Sequence, residues 1–80
     1  MTNIRERLSN CFSNVFPSIR LDQIPYASAA SVATWDSIRH ITLLCSVSEE
    51  FGFEFAAKDY EHLVSFALIA DYLETRVNHV

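Results

Sequence analysis

The sequence predicts an all-α fold: a small four-helix bundle of three longer helices and one short helix, with a long loop between helices one and two. Half of the 80 residues are hydrophobic, which is enough for one domain (residues 1–80) with one core. Glycine occurs once and proline twice, too few for a hairpin-rich β domain. Apolar residues instead recur at helical spacing in three stretches.

The first helix is predicted from about Asn3 to Phe16. Thr2 or Asn3 can cap its first amides. Pro17 ends it, because proline disfavours the α conformation in the residue before it. Its apolar positions fall on one face of a helix: Ile4, Leu8, Cys11, Phe12, Val15 and Phe16.

A connection of about twenty residues follows, from Pro17 to Asp36. Two prolines and the small residues at 27–31 interrupt the helical pattern there. Loops of this length are unusual in compact domains unless they are packed or functional. We therefore expect a packed loop with one short helical turn, held to the bundle by four apolar side chains: Ile19, Leu21, Ile24 and Trp35.

The second helix is predicted from about Ser37 to Phe51. Gly52 suits the left-handed residue that follows a helix end. One stripe of this helix should face the core: Leu43, Val47 and Phe51. A different stripe lies beside Ser37 and is a candidate exposed patch: Ile38, Ile41 and Cys45.

Two further helices complete the predicted bundle. Residues Ala57 to Leu63 are assigned to a short third helix, although seven residues need packing to hold a helix. The fourth is predicted from about Phe66 to Arg76, with Ser65 as its N-cap.

Charge and cysteine usage narrow the class of protein. The net charge is −4, and residues 49–80 hold seven acidic against two basic side chains. Nucleic-acid binding needs clustered Lys and Arg, which this acidic sequence does not offer. Its negative charge instead favours partners with basic protein surfaces. Cys11 and Cys45 make neither a common zinc motif nor a disulfide framework. No stretch of about 20 apolar residues occurs, so we expect a cytoplasmic chain without a membrane partner.

Ser37 is the residue best placed for chemistry. The first amides of a helix lack intrahelical partners and favour negative charge, so a phosphate ester on this serine would be stabilised. The alternative interpretation is that Asp36 or Ser37 is only a helix cap. A Ser37/His40 nucleophile and base would also need an oxyanion hole and an orienting group, and no motif supplies them.

The sequence around Ser37 resembles the signature of the acyl carrier protein family. Residues 35–38 read Trp-Asp-Ser-Ile, a hydrophobic row follows, and residues 49–52 read Glu-Glu-Phe-Gly. The family has Asp-Ser-Leu at the start of its second helix, then an acidic pair, Phe and a small residue. Residues 70–73, Ala-Asp-Tyr-Leu, are similar to its last helix, so the resemblance covers about Leu8 to Val77.

The resemblance implies a role for each part of the second helix. Ser37 would receive 4′-phosphopantetheine from coenzyme A through a phosphopantetheinyl transferase that requires Mg²⁺, and Asp36 would help to present it. The arm's thiol would carry acyl groups as thioesters to acyl-loading and acyl-processing enzymes, so the chain is a carrier and not an enzyme. Candidate partner-binding residues are Ile38, Arg39, Ile41, Cys45, Glu49 and Glu50. We expect a monomer, because the patch must stay free for enzymes.

The sequence departs from the fatty-acid-synthesis type, whose second helix is acidic for much of its length. Because charge selects docking partners, we expect a specialised carrier in a polyketide, modified-lipid, glycan-acylation or other secondary pathway. A cargo cavity would be lined by Leu44, Phe55, Leu63 and Ile69, and the bulky Phe residues favour a short or polar cargo.

Two other functions are consistent with the sequence. An aminoacyl or peptidyl carrier would share the arm chemistry, but residues 33–37 lack the paired glycines typical of peptidyl carriers. A small helical interaction module without a prosthetic group would use the same exposed patch or the acidic C-terminal half.

Overall fold

The computed structural model describes residues 3–77, and the all-α prediction is confirmed over that range. Its three α-helices are α1 (Ile4–Val15), α2 (Ser37–Phe51) and α3 (Phe66–Val77). Two 3₁₀ turns, Ile24–Tyr26 and Ala57–Asp59, lie in the connections. The described range has no β-strand, only one isolated antiparallel bridge.

The helices begin where side-chain caps are available. Asn3 Oδ1 accepts a hydrogen bond from the Glu6 amide at 2.7 Å, and the Ser65 hydroxyl accepts one from the Leu68 amide at 3.1 Å. These bonds satisfy amides that have no partner within the helix. Both caps confirm the sequence prediction; Thr2, the alternative cap of α1, lies outside the described residues.

The C-terminus of α2 depends on the only glycine in the chain. Gly52 has φ of 72°, in the left-handed region. Its amide and that of Phe53 both donate to the Ser48 carbonyl, at 2.8 and 3.2 Å. The chain therefore turns back toward the core, where Phe55 is buried.

The predicted short helix from Ala57 to Leu63 is wrong in type and length. A 3₁₀ turn covers only Ala57–Asp59, so the described residues contain three α-helices and not four. Phe55 and Leu63 are both buried, whereas most of the residues between them face solvent. Because few apolar side chains lie between these two buried residues, a helix over this segment would gain little packing against the core, and the segment forms only a turn.

All three helices contribute to one core. Its fully buried large side chains are Leu8, Phe12, Phe16, Ile24, Leu43, Leu44, Val47, Phe66, Ile69 and Leu73. Phe12 packs near the rings of Trp35 and Phe66, with centroid distances of 5.5 and 5.3 Å. Phe51, predicted to be core, is half-buried and lies under the Arg7 guanidinium.

The long loop is packed as predicted, with one exception. Ile24 and Trp35 are buried and Ile19 is partly buried, but Leu21 is exposed. Leu21 lies in the turn that precedes the Ile24–Tyr26 segment, and Ile24 supplies the side chain that this segment places in the core.

The loop is also bonded to the beginning of α3. The Ala29 amide donates to the Val64 carbonyl at 2.8 Å, and the Phe66 amide donates to the Ala27 carbonyl at 3.0 Å. These bonds bring residues 27–29 beside residues 64–66, next to the start of α2. Over the described residues, none of the helices is both long enough and apolar enough to cross a membrane.

Candidate functional site at the start of α2

Ser37 is the first residue of α2 and its side chain is exposed. The preceding residue, Asp36, is extended, and its carboxylate accepts a hydrogen bond from the Arg39 amide at 2.8 Å. Within the described residues, the amides of Ser37 and Ile38 have no backbone acceptor. Two free N–H groups at a helix N-terminus favour an anion there, so an ester phosphate on Ser37 fits the local electrostatics.

A cleft of about 340 Å³ opens beside Ser37. It is lined by Ala29, Trp35, Asp36, Ser37, His40 and Val64. The residues come from the long loop, the first turn of α2 and the segment before α3. This cleft was not predicted from the sequence, because its walls are far apart along the chain.

His40 fixes one side of the cleft through two hydrogen bonds. Its Nδ1 accepts from the Trp35 indole N–H at 3.0 Å, and its Nε2 lies 2.5 Å from the Tyr60 carbonyl oxygen. An indole N–H only donates and a carbonyl only accepts, so Nδ1 is the acceptor and Nε2 carries the hydrogen that is donated to Tyr60. Neither nitrogen is then free to take a proton from Ser37.

Two opposite faces of α2 have different exposure. Leu43 and Val47 are fully buried, as the core stripe predicts. On the other face, Ile38 is 75% exposed and Ile41 52% exposed, and Cys45 is exposed. We call Ile38, Ile41 and Cys45 the apolar patch. Exposed large apolar side chains next to one another are a common mark of an interaction surface.

Two of the predicted partner-binding residues have partners inside the fold. The Arg39 guanidinium donates to the Val15 carbonyl at 2.9 Å, which satisfies the C-terminal end of α1. Glu50 pairs with Arg7, with 2.8 Å between Nε and Oε2. Arg7 also donates to the Glu50 carbonyl. These contacts join α1 to α2, and binding roles for Arg39 and Glu50 stay predictions.

Glu49 lies at a second depression, of about 450 Å³, next to the apolar patch. Its lining residues are Cys45, Ser48, Glu49, Glu54, Phe55 and Tyr60. Both glutamates are exposed. The rim of this depression is therefore negatively charged, whereas Arg7 and Arg39 are engaged with other helices.

The predicted cargo-lining residues belong to the packed core. Leu44 and Ile69 are fully buried, and Phe55 and Leu63 are nearly so. Phe55 lies in an aromatic cluster with Phe53, Tyr60 and Tyr72, at centroid distances of 4.9, 6.3 and 5.2 Å. Burial, together with the hydrogen bond to Asp59, raises the pKa of the Tyr72 hydroxyl.

The two cysteines differ in environment. Cys11 is buried in the core, and this burial raises the pKa of its thiol. Cys45 is exposed on α2. Among residues 3–77, no group of three His, Cys, Asp or Glu side chains is arranged to hold a metal ion.

In comparisons with known proteins, no family matches this chain and no curated protein matches it as a relative. The residues that sequence reasoning missed are Trp35 and His40 as a bonded pair, and Ala29 and Val64 as cleft walls. The spacing of a histidine three residues after Ser37 was visible, but its two partners depend on tertiary structure.

Proposed function

We propose that this chain is an acyl carrier protein whose Ser37 bears a 4′-phosphopantetheine arm. The observation that carries the proposal is the position of Ser37: an exposed hydroxyl at the first residue of α2, between a cleft and an apolar patch. The resemblance of residues 35–38 and 49–52 to the carrier signature supplies the chemistry. The arm, when attached, supplies a thiol that holds the acyl group as a thioester.

The residues around Ser37 fit such an arm. The phosphate of the ester would face the free amides of Ser37 and Ile38, where the helix dipole favours negative charge. Asp36 caps α2, so its carboxylate is held at a fixed place next to the serine. A transferase would thus meet a rigid Asp-Ser corner instead of a mobile loop.

The surface of α2 is suited to docking enzymes. The apolar patch begins one residue after Ser37, and the exposed carboxylates of Glu49 and Glu54 lie at its far end. Apolar contacts would supply affinity, and the carboxylates would select partners with basic rims. We propose that the partners are the transferase and acyl-loading and acyl-processing enzymes of a specialised pathway, and that the free carrier is a cytoplasmic monomer.

The cargo is proposed to be short or polar. Leu44 and Ile69 are fully buried, and Phe55 is packed in an aromatic cluster with Phe53, Tyr60 and Tyr72. A long alkyl chain would have to displace core side chains, which costs packing energy.

The test is the intact mass of the protein after incubation with coenzyme A, Mg²⁺ and a broad-specificity phosphopantetheinyl transferase. We expect a gain of one phosphopantetheine on the wild type. Ser37→Ala should gain nothing, and Ser18→Ala, which removes an exposed loop serine, should be modified like the wild type. No gain on the wild type with several transferases would contradict the proposal and favour an interaction module.

A second experiment separates acyl from aminoacyl carriers. Transfer of acyl-phosphopantetheine from acyl-coenzyme A to Ser37 should yield a stable acylated carrier that acyl-processing enzymes accept. Loading by aminoacyl adenylates, with no use of the acyl forms, would assign the chain to the aminoacyl or peptidyl class.

A further inference from the structure

We infer that the part of the arm nearest Ser37 lies in the cleft formed by Ala29, Trp35 and Val64, and does not pass into the helical core. The inference rests on the proposed function. In 4′-phosphopantetheine the phosphate is followed by a methylene, a carbon that bears two methyl groups, a hydroxyl-bearing carbon, two amide-linked segments and the thiol. The dimethyl unit is the most apolar part of the arm, and it lies near the end that is attached to the serine.

The cleft is open to solvent, is large enough to hold this unit and has walls of suitable chemistry. Its volume of about 340 Å³ is at the lower end of the range for small-molecule sites, about 300–1,000 Å³. Ala29, Val64 and the Trp35 ring provide apolar walls, and Asp36 and His40 provide polar groups. Small-molecule sites typically combine these two features.

Attachment of the arm at Ser37 lowers the free-energy cost of binding it in the cleft. Ser37 itself lines the cleft, so the arm reaches the walls without any rearrangement of the chain. Binding of a tethered group is intramolecular and needs only weak contacts at a high effective concentration. Val64 is 37% exposed, and the dimethyl unit would cover part of this apolar surface.

The walls are held in place before any arm is attached. The amide of Ala29 donates to the carbonyl of Val64 at 2.8 Å, so the two apolar walls are bonded to each other. The Trp35 ring is fixed by its bond to His40. A preformed site avoids the ordering cost that a flexible loop would incur on binding.

The route into the core is closed on the same side. His40 bridges Trp35 and the Tyr60 carbonyl, so it spans from the loop to the segment before α3. Leu44, one turn after His40 on α2, and Ile69 of α3 are fully buried. Entry of the arm between α2 and this segment would break both bonds of His40 and displace packed side chains, whereas the cleft requires neither.

The test uses the holo-protein, with the arm verified by intact mass. Nuclear Overhauser contacts are measured from the two arm methyl groups to the protein. We expect contacts to the Ala29 and Val64 methyl groups and to the Trp35 ring. Val64→Glu should remove the contacts, and Leu68→Glu, which replaces a 46% exposed side chain outside the cleft, should retain them. Circular dichroism checks that both variants keep their helices.

Other outcomes would overturn the inference in distinguishable ways. Contacts from the arm methyl groups to Leu44 or Ile69 would show entry into the core, and a verified arm with no contacts at all would show that it is free in solvent. Either result would leave the carrier function intact. A chain that cannot be modified would overturn the proposed function, and this inference with it.

Discussion

Asp36 caps α2, and under the proposed carrier function it would also present Ser37 to the transferase; substitutions at this residue separate the two roles. Asp36→Ala removes the oxygen that accepts the Arg39 amide at 2.8 Å. Loss of an N-cap oxygen costs about 0.5–2 kcal/mol, most often about 1 kcal/mol. A loss of 1 kcal/mol lowers the Tm of a domain this small by about 4–8 °C. Asparagine caps about as well as aspartate, so Asp36→Asn should keep the stability of the wild type.

The assay combines unfolding, followed by circular dichroism, with the rate of modification by a transferase. If the carboxylate presents Ser37, both Asp36 variants should be modified more slowly, although only the alanine variant is destabilised. Asn3→Ala, which removes the equivalent cap of α1, should lose similar stability and keep the wild-type modification rate. Wild-type stability in Asp36→Ala would refute the capping argument. Wild-type modification of Asp36→Asn would refute a role for the charge.

Three further predictions follow from side-chain environments. In the folded, unmodified protein, Cys45 should react quickly with a thiol reagent and Cys11 only after unfolding, because burial shields Cys11 and raises the pKa of its thiol. Fast reaction of both cysteines in the folded protein would contradict this prediction. The free energy of unfolding should fall as pH rises above the ordinary tyrosine pKa of 10.0, because the folded state holds the Tyr72 proton more tightly than the unfolded chain does. Tyr72→Phe should reduce this pH dependence, and a variant with the same pH profile as the wild type would contradict the prediction. His40→Leu leaves the Trp35 indole N–H and the Tyr60 carbonyl without their hydrogen-bond partner, and it should lower the free energy of unfolding by about 1–3 kcal/mol for each of these groups that water does not reach. An unfolding midpoint equal to that of the wild type would show that water replaces the histidine.

The bounds of α2 could be predicted from the sequence because local signals fix both ends. An N-cap aspartate precedes Ser37, and Gly52 supplies the left-handed residue after Phe51. Periodicity also placed Ile38 and Ile41 on a different stripe from Leu43 and Val47, as candidates for an exposed patch, and both side chains are exposed. These properties depend on residues within a few positions of each other.

Properties that depend on distant residues could not be predicted in this way. The segment from Ala57 forms only a 3₁₀ turn because its two ends are anchored by Phe55 and Leu63, and helical spacing does not reveal such anchoring. Leu21 was expected to help hold the loop to the bundle on hydrophobicity alone, but Ile24, three residues later, is the side chain that is buried there. Likewise, the bonds of His40 join three segments, and no local pattern predicts them.

The bond between Ala29 and Val64 has a consequence for biosynthesis. Ser37 is synthesised before Val64, so a shorter chain already contains the serine while the Val64 wall of the cleft does not yet exist. Contacts between residues this distant in sequence form late in folding, since the intervening chain must first be ordered. The surface around Ser37 is thus complete only once Val64 and the start of α3 have been added, and any enzyme that recognises this surface will select chains that extend into α3 over shorter ones.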